Sequence, residues 1–296
     1  MARSIDWTLY ASFREVMRQG SLSAAARALG LTQPTLGRHV AALEAGLGAV
    51  LFTRSPQGLI PTSAALELLP RVEEMHAAAQ AAARAISGEP GGERGVVRLT
   101  ASEIIGGVVL PPILATFREQ HPGVIIELAL TNRNEDLLRR DADIAVRMIR
   151  PRQAALVARR IGAVPIGLYA HRRYAEAHGL PHTVEQLADH PLIGFDRDDS
   201  AGQALANDGI KIARETFAFR SDSDLAQLAA LRAGFGIGGC QRGIAATDRD
   251  LLPVLPQIVR FDLEMWLAMH EDQRTVSRVQ MVFRHLTESL RAYIRQ

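Results

Sequence analysis

The stretch SLSAAARALGLTQPTLGRHVAALEAGLG, residues 21–48, decides the fold of the N-terminal part of the chain. Its first half predicts a short helix, which the Ser21 hydroxyl can cap by accepting a hydrogen bond from an early backbone N–H. Gly30 then marks a turn, and Thr32 is a suitable N-cap for a second helix. Pro34 falls in the first turn of that helix, where a missing N–H costs nothing. Two helices joined by a tight turn predict a helix-turn-helix.

The second helix has two distinct faces. Apolar residues recur along one face at spacings of 4, 3 and 4 residues: Leu36, Val40, Leu43 and Leu47. The opposite face carries small residues around Arg38, and the N-terminal end of the helix is polar. Such a helix can enter the major groove of DNA, while its N-terminal dipole favours phosphate contacts. An ordinary helical hairpin would show the same periodicity.

The next segment, AVLFTRSPQGLIPT (residues 49–62), predicts a strand, a turn at 55–58 and a second strand. A hairpin directly behind a helix-turn-helix makes a winged helix, and Arg54 would lie on the wing. A preceding helix, around Trp7 to Arg18, would supply apolar side chains to the same core: Leu9, Phe13, Val16 and Met17.

Residues 20–65 resemble the DNA-binding domain of LysR-type transcriptional regulators. The resemblance rests on residues at fixed spacing: the alanine run 24–26, Gln33-Pro34, Arg38, Leu43-Glu44, Leu47-Gly48, Leu51-Phe52, Arg54 and Pro61-Thr62. Gly37 departs from the family, which often has serine there, and so removes one possible phosphate contact. The resemblance implies a sequence-specific regulator that binds double-stranded DNA. The predicted DNA-binding residues are Ser21, Thr32, Gln33, Pro34, Thr35, Arg38 and Arg54.

The charge distribution is consistent with a polyanionic partner. Residues 1–60 carry six arginines against three acidic residues, whereas residues 88–296 carry 26 basic and 26 acidic side chains. The length of 296 residues suggests about two domains. With 47% hydrophobic and 22% charged residues, the chain can bury a sizeable core.

The sequence predicts a reduced, cytoplasmic protein. No apolar run reaches the roughly 18 residues of a membrane span, because Pro111 and Pro112 interrupt the longest candidate. The N-terminus lacks the basic and then apolar pattern of a signal peptide. The single cysteine, Cys240, cannot form an internal disulfide. Two interpretations of Cys240 remain open, a redox sensor or a buried and inert thiol.

A long helix is predicted from the N-cap Thr62 to about Ile86. Its apolar residues follow a heptad seam: Ala65, Leu69, Val72, His76, Ala79, Ala83 and Ile86, widened by Leu68, Met75 and Ala82. A partner helix would cover this seam, with Val72 in the middle. In the LysR-type family this linker helix dimerises the protein, so we expect a homodimer or homotetramer. His76 is either a half-exposed seam residue or a switch, and SGEPGGERG (residues 87–95) is a flexible joint.

From residue 95 onward strands alternate with helices, including a helix at 135–140 and a last helix from about Val276 to Arg295. The pattern predicts an α/β fold with a mostly parallel sheet. It is similar to the effector domain of LysR-type regulators, a two-lobed, periplasmic-binding-protein-like module. The predicted domains are a winged helix-turn-helix (1–61), a linker helix with joint (62–90) and an effector-binding domain (91–296), whose lobes are 91–163 with 268–296, and 164–267.

In such sheets, ligands bind where strands end and helices begin. The residues predicted to hold the effector are Ser102, Thr131, Asn132, Arg147, Phe195, Ser221, Asp222 and Ser223. Hydroxyls, backbone N–H groups and one arginine suit a small organic anion, such as a carboxylate. Simple helix caps would produce the same serines, and Arg147 could equally pair with Asp141 or Asp143.

No motif for catalysis or a cofactor stands out. The glycine run GFGIGG (residues 234–239) follows a helix and enters a strand, the reverse of a nucleotide-binding loop, and we interpret it as a helix C-cap and turn. The histidines lack an HExxH pattern, and Lys211 is the only lysine. We therefore expect no enzyme activity, no cofactor and no metal, and RNA polymerase as a partner if the protein is an activator. The alternative is a solute-binding or enzymatic α/β protein with an N-terminal protein-interaction domain.

Overall fold

The computed structural model describes residues 5–55, 58–86, 94–132, 142–151, 156–197 and 214–295. They divide into two units, one formed by residues up to Ala83 and one by residues from Arg84 onward. The helix predicted at 135–140 lies outside the described residues, as does most of the joint predicted at 87–95. Within the described ranges, every helix is too short or too polar to cross a membrane.

The first unit begins with a winged helix-turn-helix, as predicted. Its helices are α1 (Trp7–Gln19), α2 (Leu22–Ala28) and α3 (Gln33–Leu47). They are followed by an antiparallel hairpin of two strands, β1 (Phe52–Ser55) and β2 (Gly58–Pro61).

Local sequence signals set the bounds of these helices. The Ser21 hydroxyl accepts a hydrogen bond from the Ala24 N–H at 3.2 Å and caps α2. The Thr32 hydroxyl caps α3 in the same way. Gly30 lies between them at φ +65°, a left-handed conformation that glycine adopts without the steric cost of a Cβ. The predicted caps and turn are therefore confirmed.

Apolar faces of the three helices meet in two small clusters. Phe13 packs with Leu43 and Leu51, while Val16 packs with Leu36 and with buried alanines of α2. Three of the four residues in the predicted stripe of α3 are buried, and Leu47 at its end is 38% exposed. Burial of this stripe directs the opposite face of α3 to solvent.

A long helix, α4 (Ser63–Ile86), follows the wing, and Thr62 caps it through the Ala65 N–H. Val72 was predicted to lie in the middle of a seam that a partner helix covers, and this prediction is wrong. Val72 is 1% exposed because Phe13 and Leu43 of the winged helix cover it. An aspartate at position 72 would bury a charge in the core of the winged helix, so its effect would not report on a partner helix.

The second unit contains a nine-stranded sheet with the order β4-β3-β5-β11-β6-β9-β7-β8, and β10 also pairs with β6. The strands are β3 (Gly95–Ala101), β4 (Val124–Leu130), β5 (Ile144–Arg147), β6 (Leu156–His171), β7 (Leu192–Gly194), β8 (Phe217–Arg220), β9 (Ile237–Gln241), β10 (Leu251–Val254) and β11 (Arg260–His270). The predicted mostly parallel sheet needs correction, because every pairing of β6 and β11 is antiparallel. The remaining pairings are parallel.

Helices cover this sheet. A π-helical turn at Ile105–Val109 leads into α5 (Leu110–Gln120), and the other α-helices are α6 (Arg172–His178), α7 (Asp224–Arg232), α8 (Arg242–Ala246) and α9 (Ser277–Ile294). Short 3-10 turns lie at Glu185–Asp189, Arg214–Thr216 and Glu271–Thr275. The glycine run after α7 is a helix end and turn, as predicted: Gly234 has φ +75°, and a Cβ on Gly236 would lie 2.0 Å from the Pro191 carbonyl oxygen.

The long strands β6 and β11 join two halves of the sheet. We call β3, β4, β5 and α5, with residues 102–109 and 131–132, the β3 half. We call β7, β8, β9 and α7, with residues 195–197 and 221–223, the β9 half. One hydrophobic core extends under both, from Phe117 on α5 to Leu231 on α7. The pairing of β6 with β11 shifts register between Met265 and Trp266, so Ile161 has no direct partner on β11. Such a bulge allows a sheet to bend locally.

Candidate DNA interface and ligand cleft

The N-terminal end of α3 presents a polar surface to solvent. Gln33, Pro34 and Arg38 are exposed, as is the cap residue Thr32. Thr35 is half-buried, and its hydroxyl lies 2.9 Å from the Thr32 hydroxyl and within 3.4 Å of the Arg38 guanidinium. Five of the predicted DNA-binding residues thus form one continuous surface on a single helix end.

The other two predicted residues lie on neighbouring elements. Ser21 is half-buried at the start of α2, where its hydroxyl is engaged as a cap. Arg54 lies in β1, and its side chain is outside the described part of the structure. A further contact fixes α2 against α3, because the Ser23 hydroxyl donates to the Gln33 side-chain oxygen at 3.1 Å.

Sequence reasoning assigned no role to Glu44. Its carboxylate accepts hydrogen bonds from the backbone N–H groups of Leu51 at 2.7 Å and Phe52 at 3.2 Å. These bonds tie the last turns of α3 to the first residues of the wing. The Leu43-Glu44 pair was visible in the sequence, but its partners depend on the fold of the hairpin.

In the second unit, the strand ends of the β3 half lie side by side. Ala101 pairs with Leu130 on β4 and with Val146 on β5, so Ser102, Thr131 and Arg147 follow at one edge. The Thr131 N–H donates to the Ala101 carbonyl at 2.9 Å. This edge collects four of the predicted effector residues: Ser102, Thr131, Asn132 and Arg147.

Two polar side chains at this edge are buried. The Arg147 guanidinium donates to the Thr100 hydroxyl at 2.9 Å and to the Val146 carbonyl at 3.0 Å. The Ser102 hydroxyl is buried and has no hydrogen-bond partner in the described part of the chain. Asp143, one alternative partner of Arg147, accepts from the Arg98 N–H at 2.8 Å. The other alternative, Asp141, lies outside the described residues.

The β9 half contributes the other four predicted residues. Gly194 and Arg220 are neighbours in the sheet, so Phe195 and Ser221 follow them at one edge. The Asp222 carboxylate accepts from the backbone N–H groups that follow Phe195, those of Asp196 at 2.9 Å and Arg197 at 2.8 Å. Asp222 therefore holds the loop after β7.

Hydrogen bonds connect the two halves directly. The Ser223 hydroxyl, which also caps α7, donates to the Glu103 carboxylate at 2.6 Å. The Asn132 amide donates to the Asp224 carboxylate at 3.1 Å, while its oxygen accepts from the Glu103 N–H at 3.0 Å. Sequence reasoning missed Glu103 and Asp224. The available signal was their position in the first turn of a helix, directly after Ser102 and Ser223.

The remaining sequence hypotheses concern thiol and metal chemistry. Cys240 is buried, and burial raises the pKa of its thiol to about 12. The thiol therefore stays protonated at neutral pH, which favours the inert interpretation over a redox sensor. Within the described ranges, His, Cys, Asp and Glu side chains form no group of three that could hold a metal ion.

The first unit is a winged helix with an exposed polar helix end, and the second is an α/β unit whose two halves meet at polar strand ends. This combination is typical of a helix-turn-helix regulator that carries a separate ligand-binding domain. Residues 7–66 match the family described as bacterial regulatory helix-turn-helix protein, lysR family. Residues 90–291 match the LysR substrate binding domain. The chain belongs to the LysR family of helix-turn-helix transcriptional regulators.

Individual relatives extend over much of the chain. An HTH-type transcriptional regulator of Xanthomonas campestris is 32% identical over 62% of this chain, and the match spans 53% of that relative's length. The probable HTH-type transcriptional regulator LtrA of Klebsiella pneumoniae is 25% identical over 95% of this chain and 94% of its own. The solved structure of full-length CbnR with its target DNA covers 96% of this chain and 99% of its own, at a TM-score of 0.69 and 20% identity. That likeness shows a shared fold.

Proposed function

We propose that this chain binds duplex DNA in a sequence-specific manner through α3 and the wing. The observation that carries the proposal is the exposed polar end of α3, which lies opposite the buried stripe. The proposed contacts are those predicted from the sequence: Ser21, Thr32, Gln33, Pro34, Thr35, Arg38 and Arg54. The excess of arginine in residues 1–60 supports a polyanionic partner. The CbnR complex supports DNA as that partner.

Binding of the full chain to a labelled duplex from the DNA that flanks its own gene tests this proposal. We expect tight binding that weakens steeply with salt concentration, because phosphate contacts release counterions. A scrambled duplex of equal length is the control for specificity. The alternative, an α/β solute-binding or enzymatic protein with an N-terminal protein-interaction domain, predicts no salt-dependent binding to either duplex.

We also propose that α4 joins two copies of the chain, with a homotetramer as the further possible assembly. The apolar side chain that supports this role is Met75, which is 40% exposed and belongs to the widened part of the predicted seam. Ala79 and Ala82, which follow Met75 along the predicted seam of α4, are small and exposed, so a second helix can approach closely. Dimerisation would present two recognition surfaces to a DNA site with two half-sites.

The proposed effector is a small organic anion, such as a carboxylate, held between the two halves of the second unit. The buried Ser102 hydroxyl supports this, because it has no hydrogen-bond partner among the described residues, and such a group is costly unless a ligand or water satisfies it. Arg147 supplies a buried positive charge at the same strand ends. Glu103 and Asp224 repel anions, so the ligand would approach from the side of Ser102 and Arg147.

Thermal-shift measurements on the full chain with a panel of metabolites test the effector. A carboxylate present at 100 times its Kd should stabilise the second unit by about 2.7 kcal/mol. Ser102→Ala should reduce the stabilisation, whereas Ser277→Ala, which removes an exposed serine at the start of α9, should not. Stabilisation by cations or neutral sugars alone, or an unchanged shift in Ser102→Ala, would show that the site is misplaced.

The predicted domain boundaries remain part of the proposal: 1–61, 62–90 and 91–296, with lobes at 91–163 with 268–296, and 164–267. The register shift between β6 and β11 at Met265 supports a division into two lobes, because both long strands pass from the β3 half to the β9 half. A cytoplasmic location and, for an activator, contact with RNA polymerase belong to the same proposal.

A further inference from the structure

We propose that Glu103 and Asn132 in the β3 half and Ser223, Asp224 and Leu225 in the β9 half form a latch that holds the two halves together. All of these residues lie where strands end and helices begin, at the junction of the two halves. Two side-chain hydrogen bonds join the halves, and both have a carboxylate as acceptor. Hydrogen bonds to charged acceptors are about twice as strong as neutral ones.

Asn132 couples the two hydrogen bonds of the latch. Its oxygen accepts from the Glu103 N–H, and its amide nitrogen donates to Asp224. Since the Glu103 side chain accepts from Ser223, three hydrogen bonds link the four residues, and each half contributes one carboxylate. If the bond from Asn132 to Asp224 breaks, Asn132 can move, and so can Glu103, whose N–H it holds. Loss of the bond from Ser223 to Glu103 acts in the opposite direction.

An apolar contact accompanies these hydrogen bonds. The end of the Leu225 side chain lies so close to Gly107 that a Cβ there would be 2.9 Å from one Leu225 methyl carbon and 3.1 Å from the other. Gly107 belongs to the π-helical turn at Ile105–Val109. Leu225 therefore contacts the backbone of the β3 half, at a position where the lack of a side chain permits close approach.

The latch can open because its polar groups remain accessible to water. Glu103, Ser223 and Asp224 are half-buried, and Asn132 is exposed. The net free energy of each bond is the small difference between protein and water partners. The bulge in the pairing of β6 with β11, near Met265, supplies a place where the sheet can bend when the latch opens.

The latch should respond to the charge of a bound ligand. Two of its groups are carboxylates, so a negative charge bound beside Ser102 would repel Glu103 and weaken the latch. This regulatory consequence rests on the proposed effector function. The latch itself is a property of the purified chain, so it can be tested without a ligand.

A pair of matched substitutions at Ser223 tests the latch. Ser223→Asp and Ser223→Asn both retain an oxygen that caps α7. The asparagine amide can donate to Glu103, whereas the aspartate carboxylate repels it. Hydrogen exchange of the full-length protein, read at the Glu103 N–H, reports on the opposite half. Because a bond to a charged group is lost, we expect exchange there to be on the order of 10- to 100-fold faster in Ser223→Asp. Ser223→Asn should exchange like the parent.

A rescue variant separates the latch from a local effect on α7. Adding Glu103→Gln to Ser223→Asp replaces the repulsion with an amide donor, and exchange at the Glu103 N–H should return towards the parent rate. The latch is refuted if Ser223→Asp leaves this N–H unchanged, if Ser223→Asn accelerates it equally, or if Glu103→Gln fails to restore it.

The reciprocal substitution is made in the β3 half and covers the case in which Ser223→Asp does not fold. Asn132→Asp keeps an acceptor for the Glu103 N–H but replaces the donor to Asp224 with a carboxylate. We expect faster exchange at the N–H groups of Ala226 and Gln227 in α7. Unchanged exchange there would also refute the latch. DNA binding is measured separately on each variant, so failure of the latch and failure of the proposed DNA-binding function give different results.

Discussion

Substitution of Arg38 by alanine tests the recognition surface most directly. Arg38 is exposed on α3, and the hydrogen bond from its guanidinium to the Thr35 hydroxyl is long, at 3.4 Å. Loss of this exposed contact should change the free energy of unfolding by less than about 0.5 kcal/mol. Loss of an arginine contact to a base edge costs roughly 1–3 kcal/mol of binding free energy, which raises Kd about 5- to 160-fold.

Fluorescence anisotropy with a labelled operator duplex measures this effect at several salt concentrations. If Arg38 contacts a base, the variant should lose discrimination between the operator and a scrambled duplex. If it contacts a phosphate, affinity for both duplexes should fall, and the slope of log K against log salt should decrease by about 1. Arg284→Ala, which removes an exposed arginine from α9, controls for net charge. An Arg38→Ala protein that melts like the parent and binds the operator equally tightly would refute the assignment of α3.

Two further predictions concern α4. Met75→Asp places a charge on the exposed part of the helix, so light scattering should show a smaller species that is still folded. Val72→Asp should instead unfold the winged helix. An unchanged mass for a folded Met75→Asp would exclude this interface. Burial, followed by the nearby Arg14 guanidinium, lowers the pKa of His76 below its ordinary value of 6.5, so its neutral form is favoured in the folded state. The unfolded chain then binds the proton more readily, and the stabilisation present above pH 6.5 is lost as pH falls below that value. Thermal unfolding of His76→Gln should lack this part of the pH dependence, and an identical dependence in both proteins would contradict the sign.

The winged helix could be predicted in detail because its signals are local. Ser21 and Thr32 cap helices through N–H groups three residues away, and Gly30 adopts a conformation that follows from its own chemistry. Each signal requires only a few neighbouring residues. The hairpin behind α3 is also a short-range structure, bounded by residues that favour turns.

The second unit could be predicted only in part, since strand direction depends on distant pairings. The sequence pattern identifies most strands, but β6 pairs with β9, β10 and β11, which follow it by many residues. The alternation of strands and helices suggests parallel pairing and contains no signal for these antiparallel contacts. At the junction of the two halves, the ends of the strands identify Ser102 and Ser223. Their neighbours Glu103 and Asp224 accept hydrogen bonds from the opposite half, and these partners are distant in sequence.

The error at Val72 has a physical explanation that also changes the expected size of the interface on α4. A heptad pattern shows that a helix buries one side, but it does not identify what covers that side. Here the winged helix covers Ala65 and Val72 in the first half of α4. Along the predicted seam, the exposed apolar surface left for a second copy begins near Met75 and continues with small residues such as Ala82. Close backbone approach, rather than large buried side chains, must then stabilise a dimer through α4, so an added bulky or charged residue on this line should be more damaging than removal of an existing one.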